Sequence, residues 1–265
     1  MAVSPLSLEG SYVTGGERRL SAMLRFKSNR GIVLFGRPVS DQTLIRTSWI
    51  LPTVSVLLAT IIHYFSGNYR DIPFFISETD HPGIEDHVFS IGLFCSAIVQ
   101  LIVSVRLFFL FKPIASPKLH HFAFACGLAT STHLAVLAFV TMEQNIEVHV
   151  YTALVVFHGG FAWAFATHFS LPKSNSKGRN IRVYSLLLAL ASLLVMTFTI
   201  RDGIQSGMKE LGVEESEVGL EYLQPWIVYA APAEYFLFFG LIACLASFSW
   251  DIQHYTSEGQ DTSIE

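Results

Sequence analysis

Charge is what this chain has least of. Only 14% of its 265 residues are Asp, Glu, Lys or Arg, against about a quarter in ordinary soluble domains. Apolar residues make up 51%, Phe alone occurs 22 times, and mean hydropathy is +0.46. That balance excludes a soluble domain and a nucleic-acid binder and points to a polytopic membrane protein. Cysteine is scarce too. Cys95, Cys126 and Cys244 all lie in apolar runs, so they read as packing residues. Their spacing fits neither a disulfide framework nor a zinc site.

Familiar chemistry is also missing. The chain has no P-loop, no G-x-S-x-G elbow, no dinucleotide fingerprint and no H-E-x-x-H. It has no span with regularly spaced arginines, no selectivity-filter motif and no inverted repeat, so conduction and transport find no support. No cofactor and no bound metal are expected. An early apolar signal segment is absent, so the first span is expected to direct its own insertion.

What the chain does have is long apolar runs. A span needs about 20 mainly apolar residues. Six stretches qualify: 48–66, 88–105, 122–142, 150–171, 183–200 and 223–250. Lipid offers no partner to unpaired backbone groups, so each is expected to be a helix. The predicted fold class is all-α, with six transmembrane helices. Residues 1–47 form a basic N-terminal segment, 48–250 the transmembrane domain, and 251–265 an acidic tail.

Of the 17 Lys and Arg, fourteen fall in residues 1–47 and in the second and fourth loops. The opposite loops hold only Arg70, Arg201 and Lys209 and are acidic. The positive-inside rule then puts both termini in the cytosol and the acidic loops in the lumen. Within the third acidic loop, residues 203–211 are expected to form a short interfacial helix before a mobile Glu-rich run.

Ionisable residues at membrane depth are default functional candidates. His133, His158 and Glu234 fall on three different spans. Each lies about 12–16 Å below the lumenal surface, counted at 1.5 Å per residue. Two readings compete. Two His and one carboxylate make a known zinc set; the same groups also serve as a hydrogen-bonded network that fixes helix packing, which is the preferred reading. Glu234 follows Ala230-Ala-Pro-Ala233, a bent, small-residue stretch suited to a site. Nearer the surface, His63, His87 and His149, together with Asp80, Glu85 and Glu147, could contact a lipid headgroup or a divalent ion, or the histidines could be ordinary interfacial residues.

The first lumenal loop reads Pro73-Phe-Phe-Ile-Ser-Glu-Thr79 and continues through Glu85-Asp-His-Val-Phe-Ser90. With Glu234-Tyr235 and Trp250-Asp251, it resembles the Frag/DRAM/Sfk family of six-span proteins over about residues 45–255. There are two departures. His133 stands where a small polar residue is expected in relatives. His149 is followed by Val150, where the family often has an acid, which removes an acid/base pair at that point.

The resemblance implies lipid handling or scaffolding. One branch of the family acts in GPI-anchor lipid remodelling in the Golgi, a second consists of lysosomal autophagy modulators, and a third supports phosphoinositide kinase assembly at the plasma membrane. The expectation for this chain is a helper or regulator rather than a self-sufficient enzyme, in the Golgi or ER. It would assist GPI-anchor lipid remodelling through a lumen-facing pocket of Glu85, His87, His133, His149, His158 and Glu234. Its partner would be a membrane or GPI-anchor lipid. The alternative is a non-catalytic scaffold in autophagy or phosphoinositide signalling, in a lysosomal or plasma membrane, which recruits a cytosolic protein through the N-terminal segment. In the pocket reading, the loop at Pro73–Ser90 forms a lid.

Overall fold

A computed structural model describes residues 31–34, 36–142, 144–171 and 176–261. Most of the basic N-terminal segment, residues 1–30, therefore lies outside the described residues, as do residues 262–265. The chain divides into two units, one ending at Asp41 and the other starting at Gln42. In the first unit, β1 (Ile32–Leu34) pairs antiparallel with β2 (Arg37–Val39), Ile32 facing Val39. The sequence reading placed no strand there.

The second unit is built from six long helices. They are α1 (Asp41–Ser66), α2 (Ile84–Phe111), α3 (Pro117–Leu137), α4 (Ile146–Ser170), α5 (Ser176–Leu211) and α6 (Leu220–Asp261). Single-turn 3-10 helices at Ile76–Asp80 and Glu215–Glu217 interrupt two of the connections. Five of the six helices are long and apolar enough to cross a bilayer; α3 is the exception. At 21 residues α3 covers about 32 Å, which is long enough. Its Lys118, His120, His121, Thr and Ser content dilutes its apolarity. The chain is an all-α, multi-pass membrane protein.

Several helix ends differ from the expected spans. The third run was expected to reach 142, but α3 stops at Leu137. Partners outside the helix take over the backbone groups that follow: Met142 N–H donates to Asp80 (3.2 Å), and Val140 C=O accepts from His149 (2.6 Å). The expected interfacial helix at 203–211 is the continuous end of α5. It persists because Gly203 and Gly207 lie against Trp226 and Val218 of the next hairpin arm, leaving no room for a Cβ. Gly67 and Gly212, at φ +74° and +68°, follow the last residues of α1 and α5. That left-handed conformation is the common way to end a helix, and Gly adopts it without steric cost. At the other end of the chain, α6 runs to Asp261 and takes in most of the expected acidic tail.

α5 and α6 pack along their lengths, as do α3 and α4. At the basic end of the α5–α6 pair, Arg182 is fully buried and forms an ion pair with Asp251, also fully buried. Arg182 also donates to Ser247 Oγ (3.2 Å) and lies 4.5 Å from the Phe248 ring centroid. The sequence had read Arg182 only as the edge of a span. A buried charge that loses its partner costs about 3–5 kcal/mol, whereas apolar replacement of both partners is often neutral. Asp251→Ala should therefore sharply lower the unfolding midpoint in detergent. The double variant Arg182→Met/Asp251→Leu should recover much of that loss. Equal losses in the single and double variants would contradict this account.

Candidate functional site

The first acidic connection, between α1 and α2, is fastened to the bundle by polar side chains. Phe75 N–H donates to Glu78 Oε1 (2.9 Å), and Thr79 Oγ1 donates to Ile76 C=O (2.7 Å), which closes the single turn at Ile76–Asp80. Arg70 bridges Glu78 (3.2 Å) and Gln224 Oε1 (2.5 Å) on α6. Gln224 in turn donates to Pro73 C=O (3.4 Å). The most deeply placed tie comes from Glu234, also on α6. Its Oε2 accepts the backbone N–H of Ile76 at 2.6 Å. A short polar turn buried over a membrane bundle needs such partners for its backbone groups.

Two more buried pairs flank this turn. Asp80 Oδ2 lies 3.5 Å from His149 Nδ1, and both residues are at least 96% buried. Glu85 is 2% exposed and accepts from Asn68 Nδ2 (2.8 Å) and Ser66 Oγ (3.3 Å). His63 Nδ1 approaches the same carboxylate at 3.6 Å, and the His63 ring stands edge-on to Phe74 at 4.9 Å. His63 and Asp80 were expected at most as boundary contacts to a headgroup or ion and were not placed in the pocket. The signal for both was weak: His63 sits near a span edge and Asp80 in an acidic loop, where an interfacial histidine and a solvated acid are the ordinary readings.

Below the turn lies a cavity with an empty volume of about 1030 Å³, counting the space at its mouth. Its walls come from α1, α2, α3, α4 and α6, and Ile76 and Ser77 form its roof. Glu234 and His149 sit at the roofed end. Apolar residues such as Val56, Leu93, Leu134, Phe238 and Leu245 line most of the rest. Deeper in the wall are Gln100, Ser104, Thr130 and Trp163.

Of the six predicted site residues, the structure brings Glu234 and His149 to this cavity. Glu85 instead lies in the His63 cluster beside it. The other three do not line it. His87 is exposed and turns back on Gly83 C=O (2.7 Å). His133 and His158 each pair with the carbonyl one turn earlier in their own helix, Ala129 and Leu154, both at 2.8 Å. His158 is on the outer face of its helix. The expected convergence of His133, His158 and Glu234 is therefore not found. Equal depth fixes the height of a residue, but the direction of its side chain depends on helix rotation. Among the described residues, no three His, Cys, Asp or Glu side chains come together as metal ligands.

A family model described as the Frag1/DRAM/Sfk1/Cwh43P N-terminal domain matches residues 43–255. No curated protein and no solved structure matches.

Loss of the Glu234 carboxylate leaves the Ile76 N–H buried without an acceptor. Hydrogen bonds to charged groups contribute about 1.5–3 kcal/mol. In Glu234→Ala, the 70–80 connection should open roughly tenfold or more often, read as faster limited tryptic cleavage after Arg70. Cleavage unchanged from that of the parent protein would show that the tie does not hold the turn.

Proposed function

This chain belongs to the Frag1/DRAM/Sfk1/Cwh43P family, and on that premise we propose that it is a lipid-handling membrane protein that assists GPI-anchor lipid remodelling. The observation that carries this reading is the cavity. It is apolar along most of its wall, it has polar groups only at defined places, and a turn of the first acidic connection roofs one end. Along α4, its lining runs from His149 to Trp163, about 21 Å at 1.5 Å per residue. One leaflet of a hydrocarbon core is about 15 Å deep, so an acyl chain fits along this length. A mostly apolar lining with few and placed polar groups is typical of small-molecule sites. In this reading the roofed end faces the lumen of the Golgi or ER. The protein positions a lipid tail or headgroup for an enzyme elsewhere.

Cells lacking the protein should carry GPI anchors of altered lipid composition, measured by mass spectrometry of released anchors. The full chain should restore the normal composition. Leu134→Trp, which fills the cavity from a wall position 7% exposed, should not restore it, although the protein is still made and inserted. Unchanged anchors in cells without the protein would overturn the GPI reading.

A further inference from the structure

The polar side chains at the roofed end of the cavity are few: Glu234, His149 and Ser77. Glu234 is 94% buried, and its Oε2 is engaged by Ile76 N–H. No other hydrogen bond to this carboxylate is found among the described residues, so Oε1 is left on the cavity side. His149 lines the same end and is 1% exposed. Its Nδ1 is 2.6 Å from Val140 C=O, and a carbonyl can only accept, so Nδ1 carries the proton. Nε2 then bears a lone pair, and it is buried without a hydrogen-bond partner. Two buried residues thus stand at one end of an apolar chamber with hydrogen-bonding positions left open: His149 at Nε2, an acceptor, and Glu234 at Oε1.

The charge of the lining points the same way. It includes one acid and no Lys or Arg among the described residues. A phosphate at this end would be desolvated in a low-dielectric setting with no Lys or Arg in the described lining to neutralise it. A hydroxyl would instead supply the missing donor and bring no charge to desolvate.

We infer that the cavity binds an uncharged lipid headgroup with a free hydroxyl, such as that of a diacylglycerol. Its hydroxyl donates to Glu234 at the roofed end, and its acyl chain runs toward Trp163. The inference rests on the reading of the cavity as a lipid site and names the headgroup chemistry that site selects.

The test uses the full chain, purified in detergent and assayed by native mass spectrometry. The probes are diacylglycerol, its methyl ether and phosphatidic acid of matched chains. Diacylglycerol should bind about tenfold more tightly than the ether, a difference of about 1.4 kcal/mol. Phosphatidic acid should bind no better than the ether. In Glu234→Gln, the side-chain oxygen can keep the Ile76 bond while the new amide donates to hydroxyl and ether alike, so the tenfold preference should collapse toward one. A purely structural Glu234 would leave that ratio unchanged.

Equal binding of diacylglycerol and ether by the parent protein would overturn the hydroxyl assignment and leave the lipid cavity standing. Strongest binding of phosphatidic acid would overturn it as well. If no probe binds, or if Leu134→Trp binds all three as the parent does, the cavity reading itself fails. The parent-protein comparison decides the matter even if Glu234→Gln does not fold.

Discussion

The hydrogen bond from Ile76 N–H to Glu234 Oε2 joins positions 158 residues apart. It explains why an acidic residue tolerates burial in a helix of a membrane bundle. A carboxylate at that depth is expensive unless something aims dipoles at it, and the loop backbone provides one. The reverse constraint holds as well. The turn at Ile76–Asp80 can descend over the bundle only because α6 offers an acceptor where water is absent. The cavity beneath is the space left between a roof held by hydrogen bonds and walls held by packing.

The two ends of the bundle solve the problem of buried charge differently. At the basic end, Arg182 and Asp251 neutralise one another directly, with Ser247 and the Phe248 ring completing the surroundings of the guanidinium. This closes the α5–α6 pair. At the acidic end the carboxylates are spread over separate partners: Glu85 with Asn68 and His63, Asp80 with His149 and Met142 N–H, and Glu234 with Ile76 N–H. Among the described residues, no arginine or lysine pairs with Glu85 or Glu234 at short range.

Much of the fold was legible because bilayer thickness imposes run lengths that sequence cannot hide. All six runs became helices, and Glu234 was identifiable as an acid in an apolar stretch beside Pro232. The misses have two physical sources. Helix ends extend past apolar runs wherever tertiary partners accept their backbone groups, as at α5, where Gly203 and Gly207 admit the neighbouring arm. Side-chain direction was not legible either. In a helix apolar on every face, no periodic signal separates the lipid side from the core side. His133 and His158 therefore looked equivalent to Glu234 by depth, although each closes on its own helix carbonyl. His149 and Glu85 looked like surface residues at span edges, although both are almost fully buried.

A lid of this kind would suit the proposed lipid site. A roof made of an ordinary loop would either stay in water or bury unsatisfied amides over the chamber. Here the turn satisfies its own backbone through Glu78 and Thr79 and offers Phe74, Phe75 and Ile76 to the bundle. Its outer ties, Arg70 to Glu78 and Gln224, are only partly buried, while its inner tie to Glu234 is buried. Outer bonds can exchange with water at little net cost. The inner bond has no such substitute unless a ligand supplies one. A lipid hydroxyl arriving at Glu234 would meet the one carboxylate that also holds the roof, so occupancy of the chamber and the position of the turn are coupled through a single side chain.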